Sequence, residues 1–161
     1  MIHCFSVKDS IKDIKKNLIN ECIEQRTLIK DCNNFELKTV YLNNLYQLFI
    51  TSAKKVLNNF TLKDENFKVW CYMTDKLYSD THWHNHIKSA TINSVIYLKT
   101  NNKGIDFMIS NEEKKIMPND GDMLIFPASI YHRPEPSTDN ERISLNLEMR
   151  CNENEKEIFN V

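Results

Sequence analysis

The hydrophobic pattern of this chain changes period near residue 58, and that change constrains the fold more than any other feature. Before it, apolar residues recur at helical spacing over residues 10–30 and 37–58. After it come short runs rich in β-branched and aromatic residues, separated by turn sequences such as NNKG and PNDGD. Helices followed by many antiparallel strands predict a mainly β protein, a sandwich or barrel backed on one face by two N-terminal helices.

Local details of the pattern predict caps and turns. Ser10 is placed to cap the first helix, and the Asp-Gly step of PNDGD predicts a tight hairpin between the runs that flank it. Glycine (2) and proline (4) are scarce, so Asn and Asp are expected to supply the positive φ angles that turns need. The β-rich runs are NFKVWCYM, INSVIYLKT, IDFMIS, KKIM, DMLIFP and RISLNLEM.

Size and charge exclude several classes of protein. The 161 residues suit one domain, with a helical cover over about 6–58 and a β core over about 66–150. Lys and Arg (21) balance Asp and Glu (22), so the chain lacks the positive charge of a nucleic-acid-binding protein. No apolar run approaches the about 18 residues of a membrane helix, and no signal peptide is visible. We expect a cytoplasmic protein with neither nucleic acid nor membrane as partner; the oligomeric state stays open.

The cysteines give no sign of a disulfide framework. There are five of them, an odd number, scattered along the chain without a CxxC pair. Cysteines of this kind are typical of free thiols in a reducing compartment. We expect neither disulfides nor a zinc ribbon.

Histidines are concentrated in one short stretch of the β half, SDTHWHNH. It places Asp80, His82, His84 and His86 at a spacing of two, which in an extended strand sends all four side chains to one face. Neutral imidazoles are the commonest metal ligands, and a distant histidine, His132, can complete a ligand set. The pattern predicts a site for one divalent first-row metal ion.

The last predicted strand has one polar and one apolar face. Arg142, Ser144 and Asn146 alternate with Ile143 and Leu145. Because successive side chains of a strand point to opposite faces, the polar set meets either solvent or a cavity.

These stretches together resemble a known family. HNHIKSATINSVIYL, MPNDGDMLIFPASIYH and ERISLNLE look like the oxygenases that depend on Fe(II) and 2-oxoglutarate and fold as a double-stranded β-helix, a jelly roll of the cupin type. Within that superfamily the chain is most similar to small oxygenases of bacteria and bacteriophages that are akin to prolyl hydroxylases. The resemblance covers roughly residues 70 to 148.

The resemblance implies a set of iron ligands. His84 and His132 match two ligand positions, and His86 stands where most of the superfamily has Asp or Glu. The third ligand is therefore His86, in a three-histidine centre, or, after a shift of register, His82 or Asp80. The spacing to the following serine favours His86.

The resemblance also implies a cosubstrate pocket. Arg142 would bind the distal carboxylate of 2-oxoglutarate, assisted by Ser144 and Tyr97. A planar guanidinium suits this role because it offers a carboxylate two parallel hydrogen bonds and stays charged when buried. Three protein ligands leave the remaining metal positions open for the cosubstrate and for O2.

The implied activity is hydroxylation of an unactivated C–H bond with release of succinate and CO2. A prolyl or other amino-acid residue, free or within a peptide or protein, is the expected substrate. Two alternatives stay open: a three-histidine cupin enzyme that does not use 2-oxoglutarate, and a binding module without turnover. Trp70, Tyr72 and Trp83 are interpreted as core aromatic residues, with a substrate cleft as the alternative.

Overall fold

Nine strands and four helices follow one another in the part of the chain that the structure, a computed structural model, describes: residues 1–29, 32–63, 67–74, 81–136 and 141–160. In chain order they are β1 (His3–Ser6), α1 (Lys8–Ile11), α2 (Lys15–Leu28), β2 (Asn34–Glu36), α3 (Leu42–Val56), β3 (Val69–Thr74), β4 (Ile92–Lys99), β5 (Ile105–Ile109), β6 (Glu112–Ile116), β7 (Asp122–Pro127), β8 (His132–Pro134), β9 (Arg142–Met149) and α4 (Glu155–Phe159). Strand residues outnumber helical ones, which confirms the prediction of a mainly β protein.

The strands form two antiparallel sheets. The larger has six strands in the order β1-β7-β4-β9-β3-β2, and the smaller has three in the order β6-β5-β8. A small apolar cluster that includes Tyr97, Phe107 and Phe126 joins the inner face of the large sheet to β5 of the small one. The two-layer antiparallel arrangement with helices is the predicted jelly roll.

The main hydrophobic core lies between the helices and the outer face of the large sheet. Leu18 of α2 and Phe49 of α3 are fully buried in one cluster with Ile143, Leu145 and Leu147 of β9. The apolar face of the last strand is therefore covered by helices. Its polar face is left pointing into the space between the two sheets.

The helices differ from the predicted segments at their ends. Residues 10–30 hold two helices, because a turn over residues 12–14 separates α1 from α2. Ser10 lies inside α1 and caps neither helix, since Ile14 occupies the N-cap of α2 without a side-chain bond. In the second segment the helix begins only at residue 42, because residues 34–36 pair with β3. Among the described residues, no helix is long and apolar enough to cross a membrane.

The prediction of a hairpin at PNDGD is wrong. That turn leads from β6 to β7, which belong to different sheets. The turn is held instead by tertiary contacts: the Gly121 N–H donates to the Tyr97 carbonyl at 2.7 Å, and its own carbonyl accepts from the Val7 N–H at 2.8 Å. The true hairpin joins β5 to β6 through Ser110 and Asn111, both at positive φ.

Asparagines do supply most of the positive φ angles, as predicted. Among the described residues they account for four of the five non-glycine cases: Asn101, Asn102, Asn111 and Asn160. All five cysteines are free thiols, which confirms that expectation as well.

Gly121→Ala is expected to lower the free energy of unfolding by about 1 to 2 kcal/mol, the cost of a left-handed backbone at an L-residue. Gly121 has φ +87°, and an added Cβ would lie 3.0 Å from Cβ of Lys8. Denaturant unfolding measures the loss. The matched control is Asn102→Gly, at another turn residue of positive φ, which should change stability by less than about 0.5 kcal/mol. Equal stability of wild type and Gly121→Ala would contradict the strain.

Candidate metal centre

Three histidines converge between the two sheets. The ligand atoms of His84, His86 and His132 all lie within 4.8 Å of one another. The ring centroids of His84 and His132 are 4.4 Å apart, and the His86 ring is 5.2 Å from each of the other two. The structure thus brings together the three histidines that the family resemblance favoured as ligands.

Backbone hydrogen bonds create this convergence. His84 and His132 form a single antiparallel residue pair in which each N–H donates to the other's carbonyl, at 3.0 and 2.9 Å. The N–H of His86 donates to the Ala128 carbonyl at 2.8 Å. Opposed residues of such a pair carry their side chains on the same face, so the two imidazoles meet although they lie far apart in sequence.

The stretch around His84 is not the continuous strand that the sequence predicted. Of its described residues, 81–86, only His84 pairs with another strand, and residues 87–89 form a turn. His82 is exposed at the edge of the cavity and does not belong to the cluster. Asp80, the other alternative ligand, lies outside the described residues.

Each imidazole of the cluster has its Nδ1 atom engaged. Nδ1 of His84 and of His132 each lies 3.0 Å from the backbone carbonyl oxygen two residues earlier. Nδ1 of His86 lies 2.8 Å from Oε1 of Glu148. Because these acceptors require a proton on Nδ1, the lone pair of each neutral ring lies on Nε2. Three imidazoles that present Nε2 to a common point fit a divalent first-row metal ion.

Burial keeps two of these imidazoles neutral. It lowers the pKa of His132 to about 3, with the neighbouring imidazoles adding to the effect and the bond to the backbone carbonyl opposing it. Burial likewise lowers the pKa of His84. Burial would raise the pKa of Glu148, but hydrogen bonds, first that of His86, outweigh it and lower that pKa. Near neutral pH both histidines are therefore in the form that binds a metal.

The cluster opens into a cavity of about 300 Å³ that also receives the polar face of β9. Arg142 is 1% exposed and Ser144 5% exposed, and both line this cavity together with Tyr97. The polar face of the last strand therefore meets a cavity and not bulk solvent. The strand pairing explains it, because Tyr97 of β4 and Ser144 of β9 are directly opposed.

Arg142 is a buried charge without a counter-ion among the described residues. Its Nη1 donates to the backbone carbonyls of Gly104 and Glu135 at 2.8 and 3.3 Å, while Nε is buried without a hydrogen-bond partner. Cζ lies 5.4 Å from the centroid of the Tyr97 ring, whose hydroxyl is also buried and unpaired. Burial raises the pKa of Tyr97 to about 12, against the charge of Arg142, so the phenol keeps its proton. These unsatisfied donors fit a carboxylate.

Comparison with solved structures identifies the architecture. The viral collagen prolyl hydroxylase of Paramecium bursaria Chlorella virus-1 superposes with a TM-score of 0.65 at 16% identity, over 94% of this chain and 90% of that one. A prolyl-4-hydroxylase of Pseudomonas putida gives 0.62 at 14% identity, over 92% and 91%. A Trichoplax adhaerens prolyl hydroxylase, in complex with a peptide fragment of the oxygen degradation domain of hypoxia inducible factor, gives 0.64 at 10% identity, over 92% and 83%.

The chain has the prolyl-hydroxylase fold. The resemblance inferred from the sequence is therefore confirmed at the level of the fold. By sequence, the chain matches no protein-family model and no curated protein.

Within the prolyl-hydroxylase fold, a wider groove of about 1110 Å³ adjoins the cavity. The two spaces share Asn34, His86 and Asn146, so the groove reaches the metal cluster on its His86 side. Its walls carry aromatic side chains, among them Tyr46 of α3 and Trp70 of β3. The groove is thus a route from the surface to the cluster.

The interpretation of the three aromatic residues as core was wrong. Trp70 lines the groove and Tyr72 the cavity, because both lie on the inner face of β3. Trp83 stacks on the guanidinium of Arg133, whose Cζ lies 4.6 Å from the ring centroid.

Sequence reasoning missed Glu148. The alternation that selected Arg142 and Ser144 extends to it, since all three share the inner face of β9. That signal was available. What the sequence did not show is that Glu148 would meet His86.

Proposed function

We propose that this protein is an Fe(II)- and 2-oxoglutarate-dependent oxygenase that hydroxylates an unactivated C–H bond. The observation that carries the proposal is the position of Arg142, buried in the same cavity as three imidazoles and without a counter-ion in the described part of the chain. A metal-binding cupin without a cosubstrate has no need of a buried cation there. The helical cover (about 6–58) and the β core (about 66–150) form a single domain in this proposal.

His84, His86 and His132 would hold Fe(II) through their Nε2 atoms. Their Nδ1 atoms are engaged with the protein, which fixes the orientation of each ring before the metal binds. When bound, Fe(II) with 2-oxoglutarate and O2 supplies the oxidising power for hydroxylation, with release of succinate and CO2. Ligands on one side of the ion leave room for the cosubstrate.

Arg142, Ser144 and Tyr97 would bind the distal carboxylate of 2-oxoglutarate. The two backbone carbonyls that accept from Nη1 fix the guanidinium plane, and Nε is left without a hydrogen-bond partner. The protonated phenol of Tyr97 adds a hydrogen bond from the neighbouring strand. A carboxylate would thereby neutralise a charge that the protein alone leaves buried.

The substrate in this proposal is a peptidyl residue, prolyl or of another amino acid, lying in the groove. One structural neighbour is in complex with a peptide. The groove offers amide groups from Asn34 and Asn146 and aromatic surface from Trp70, which suits the alternating polar and apolar groups of an extended chain. Its contact with His86 brings the bound residue beside the metal cluster.

The histidine in place of a carboxylate ligand favours a second candidate, a three-histidine metalloenzyme that does not use 2-oxoglutarate. Such an enzyme would bind iron at the same cluster. Loss of turnover would leave a third, a binding module with the same fold. Consumption of 2-oxoglutarate separates both from the oxygenase.

Purified protein supplied with Fe(II), ascorbate, O2 and 2-oxoglutarate is expected to form succinate, and a substrate peptide should raise the rate. Succinate is measured by mass spectrometry, with anaerobic and iron-free reactions as controls. Lys99→Ala, which removes an exposed positive charge at the end of β4, is the control variant and should keep wild-type turnover. Protein that binds Fe(II) but neither binds nor consumes 2-oxoglutarate would favour the three-histidine enzyme without this cosubstrate.

A further inference from the structure

We propose that Glu148 is a positioning residue that supplies to the metal centre, through His86, the negative charge which a set of three histidines lacks. The inference rests on the proposed metal site. It concerns the hydrogen bond between His86 and Glu148, which the metal-free protein already forms.

The contact between the two side chains is short and partly sheltered. Oε1 of Glu148 lies 2.8 Å from Nδ1 of His86, and the two side chains are 21% and 18% exposed. Asn146 donates from Nδ2 to the same oxygen at 3.2 Å. The carboxylate is thus held on the imidazole by a second donor from its own strand.

The three histidines differ in what their Nδ1 atoms meet. For His84 and His132 the acceptor is a neutral backbone carbonyl, and for His86 it is a carboxylate. A hydrogen bond to an ionised acceptor is about twice as strong as one between neutral groups. His86 is therefore the ring whose orientation is most strongly fixed, and whose Nε2 becomes the most electron-rich donor of the three.

The carboxylate beside His86 bears on the charge balance of the site. A divalent ion held by three neutral imidazoles keeps its full charge in a cavity where His132 is 3% exposed and the charge of Arg142 is also buried. Placing a carboxylate one hydrogen bond beyond a ligand lowers that cost without occupying a metal position. Glu148 can carry this negative charge because it lies near the other end of β9 from Arg142. The length of the strand keeps its carboxylate away from the guanidinium, so the two do not pair with each other.

The test compares wild type, Glu148→Gln and Glu148→Ala by two measurements. Titration against a chelator gives the affinity for Co(II), and 1H–15N spectra of the metal-free proteins give the tautomer of His86. Glu148→Gln keeps an acceptor but loses the charge, and should lower Co(II) affinity about 10-fold. Glu148→Ala removes both the acceptor and the charge. Its loss of Co(II) affinity should approach 100-fold, the upper end for an outer-shell partner, and its His86 should become a mixture of tautomers. Glu112→Gln, at an exposed glutamate of β6, is the matched control and should change neither quantity.

The outcomes separate this inference from the metal site itself. Wild-type protein that does not bind Co(II) would overturn both. Wild-type binding with unchanged affinity in Glu148→Gln and Glu148→Ala would overturn the role of Glu148 alone, as would an unchanged His86 tautomer in Glu148→Ala. Thermal unfolding of the metal-free variants monitors the fold, and Glu148→Asp, which keeps the charge on a shorter side chain, should retain more affinity than Glu148→Ala.

Discussion

Arg142→Ala is expected to weaken binding of 2-oxoglutarate by about 2 to 5 kcal/mol, the range for truncating one partner of a buried charge pair. The guanidinium is 1% exposed, lacks a salt bridge among the described residues and shares its cavity with the histidine cluster. A carboxylate in that cavity would lose its counter-ion in the variant, and a buried charge without its partner is costly. Titration of 2-oxoglutarate into the anaerobic Fe(II) complex measures the loss, and affinity for Fe(II) should stay almost unchanged.

Two further variants sharpen this result. Arg142→Lys should recover only part of the affinity, because an ammonium cannot reproduce the two parallel hydrogen bonds of a guanidinium. Lys99→Ala, at an exposed lysine at the end of β4, should bind 2-oxoglutarate as wild type does. Equal 2-oxoglutarate affinity in wild type and Arg142→Ala would exclude the carboxylate clamp and favour the cupin enzyme without this cosubstrate.

His132→Ala is expected to abolish stoichiometric binding of Fe(II). The side chain is buried, its Nδ1 is engaged by a backbone carbonyl, and its ligand atom lies within 4.8 Å of those of the other two histidines. Removing a direct ligand should cost more than the roughly 10- to 100-fold that loss of an outer-shell partner costs. Anaerobic Fe(II) titration monitors the binding. Circular dichroism monitors the fold, to which this imidazole contributes by packing and by its hydrogen bond to the Ile130 carbonyl.

His82→Ala provides the matched control for this variant. His82 belongs to the same histidine row, yet it is exposed and lies outside the cluster, so its removal should leave Fe(II) affinity within a factor of about 2. A large loss in His82→Ala would restore the shifted register as the ligand set. Unchanged titration in His132→Ala would show that the metal site is elsewhere.

The sequence by itself determined those features that repeat at short range. Each of the six β-rich runs corresponds to one strand of the structure, because alternation along a strand depends only on which residues neighbour one another. The same alternation separated Arg142 and Ser144 from the buried apolar face of β9. The family resemblance, with the spacing to the serine that follows, selected His84, His86 and His132 for one site. The jelly-roll architecture followed from the order of helices and strands together with the family resemblance.

The tertiary structure alone decided what depends on partners distant in the chain. The three-residue strands β2 and β8 are too short to show a period, and they exist because β3 and β5 pair with them. Pairing of β7 with β1 and β4 in the large sheet also overruled the Asp-Gly hairpin signal, and backbone hydrogen bonds to Tyr97 and Val7 hold that turn. The meeting of His86 with Glu148 has the same origin: β9 and the turn after β7, whose Ala128 carbonyl accepts from the His86 N–H, place two residues 62 positions apart by their numbers at hydrogen-bond distance. Periodicity shows the face on which a side chain lies, whereas only the packed sheets determine which side chain it meets there.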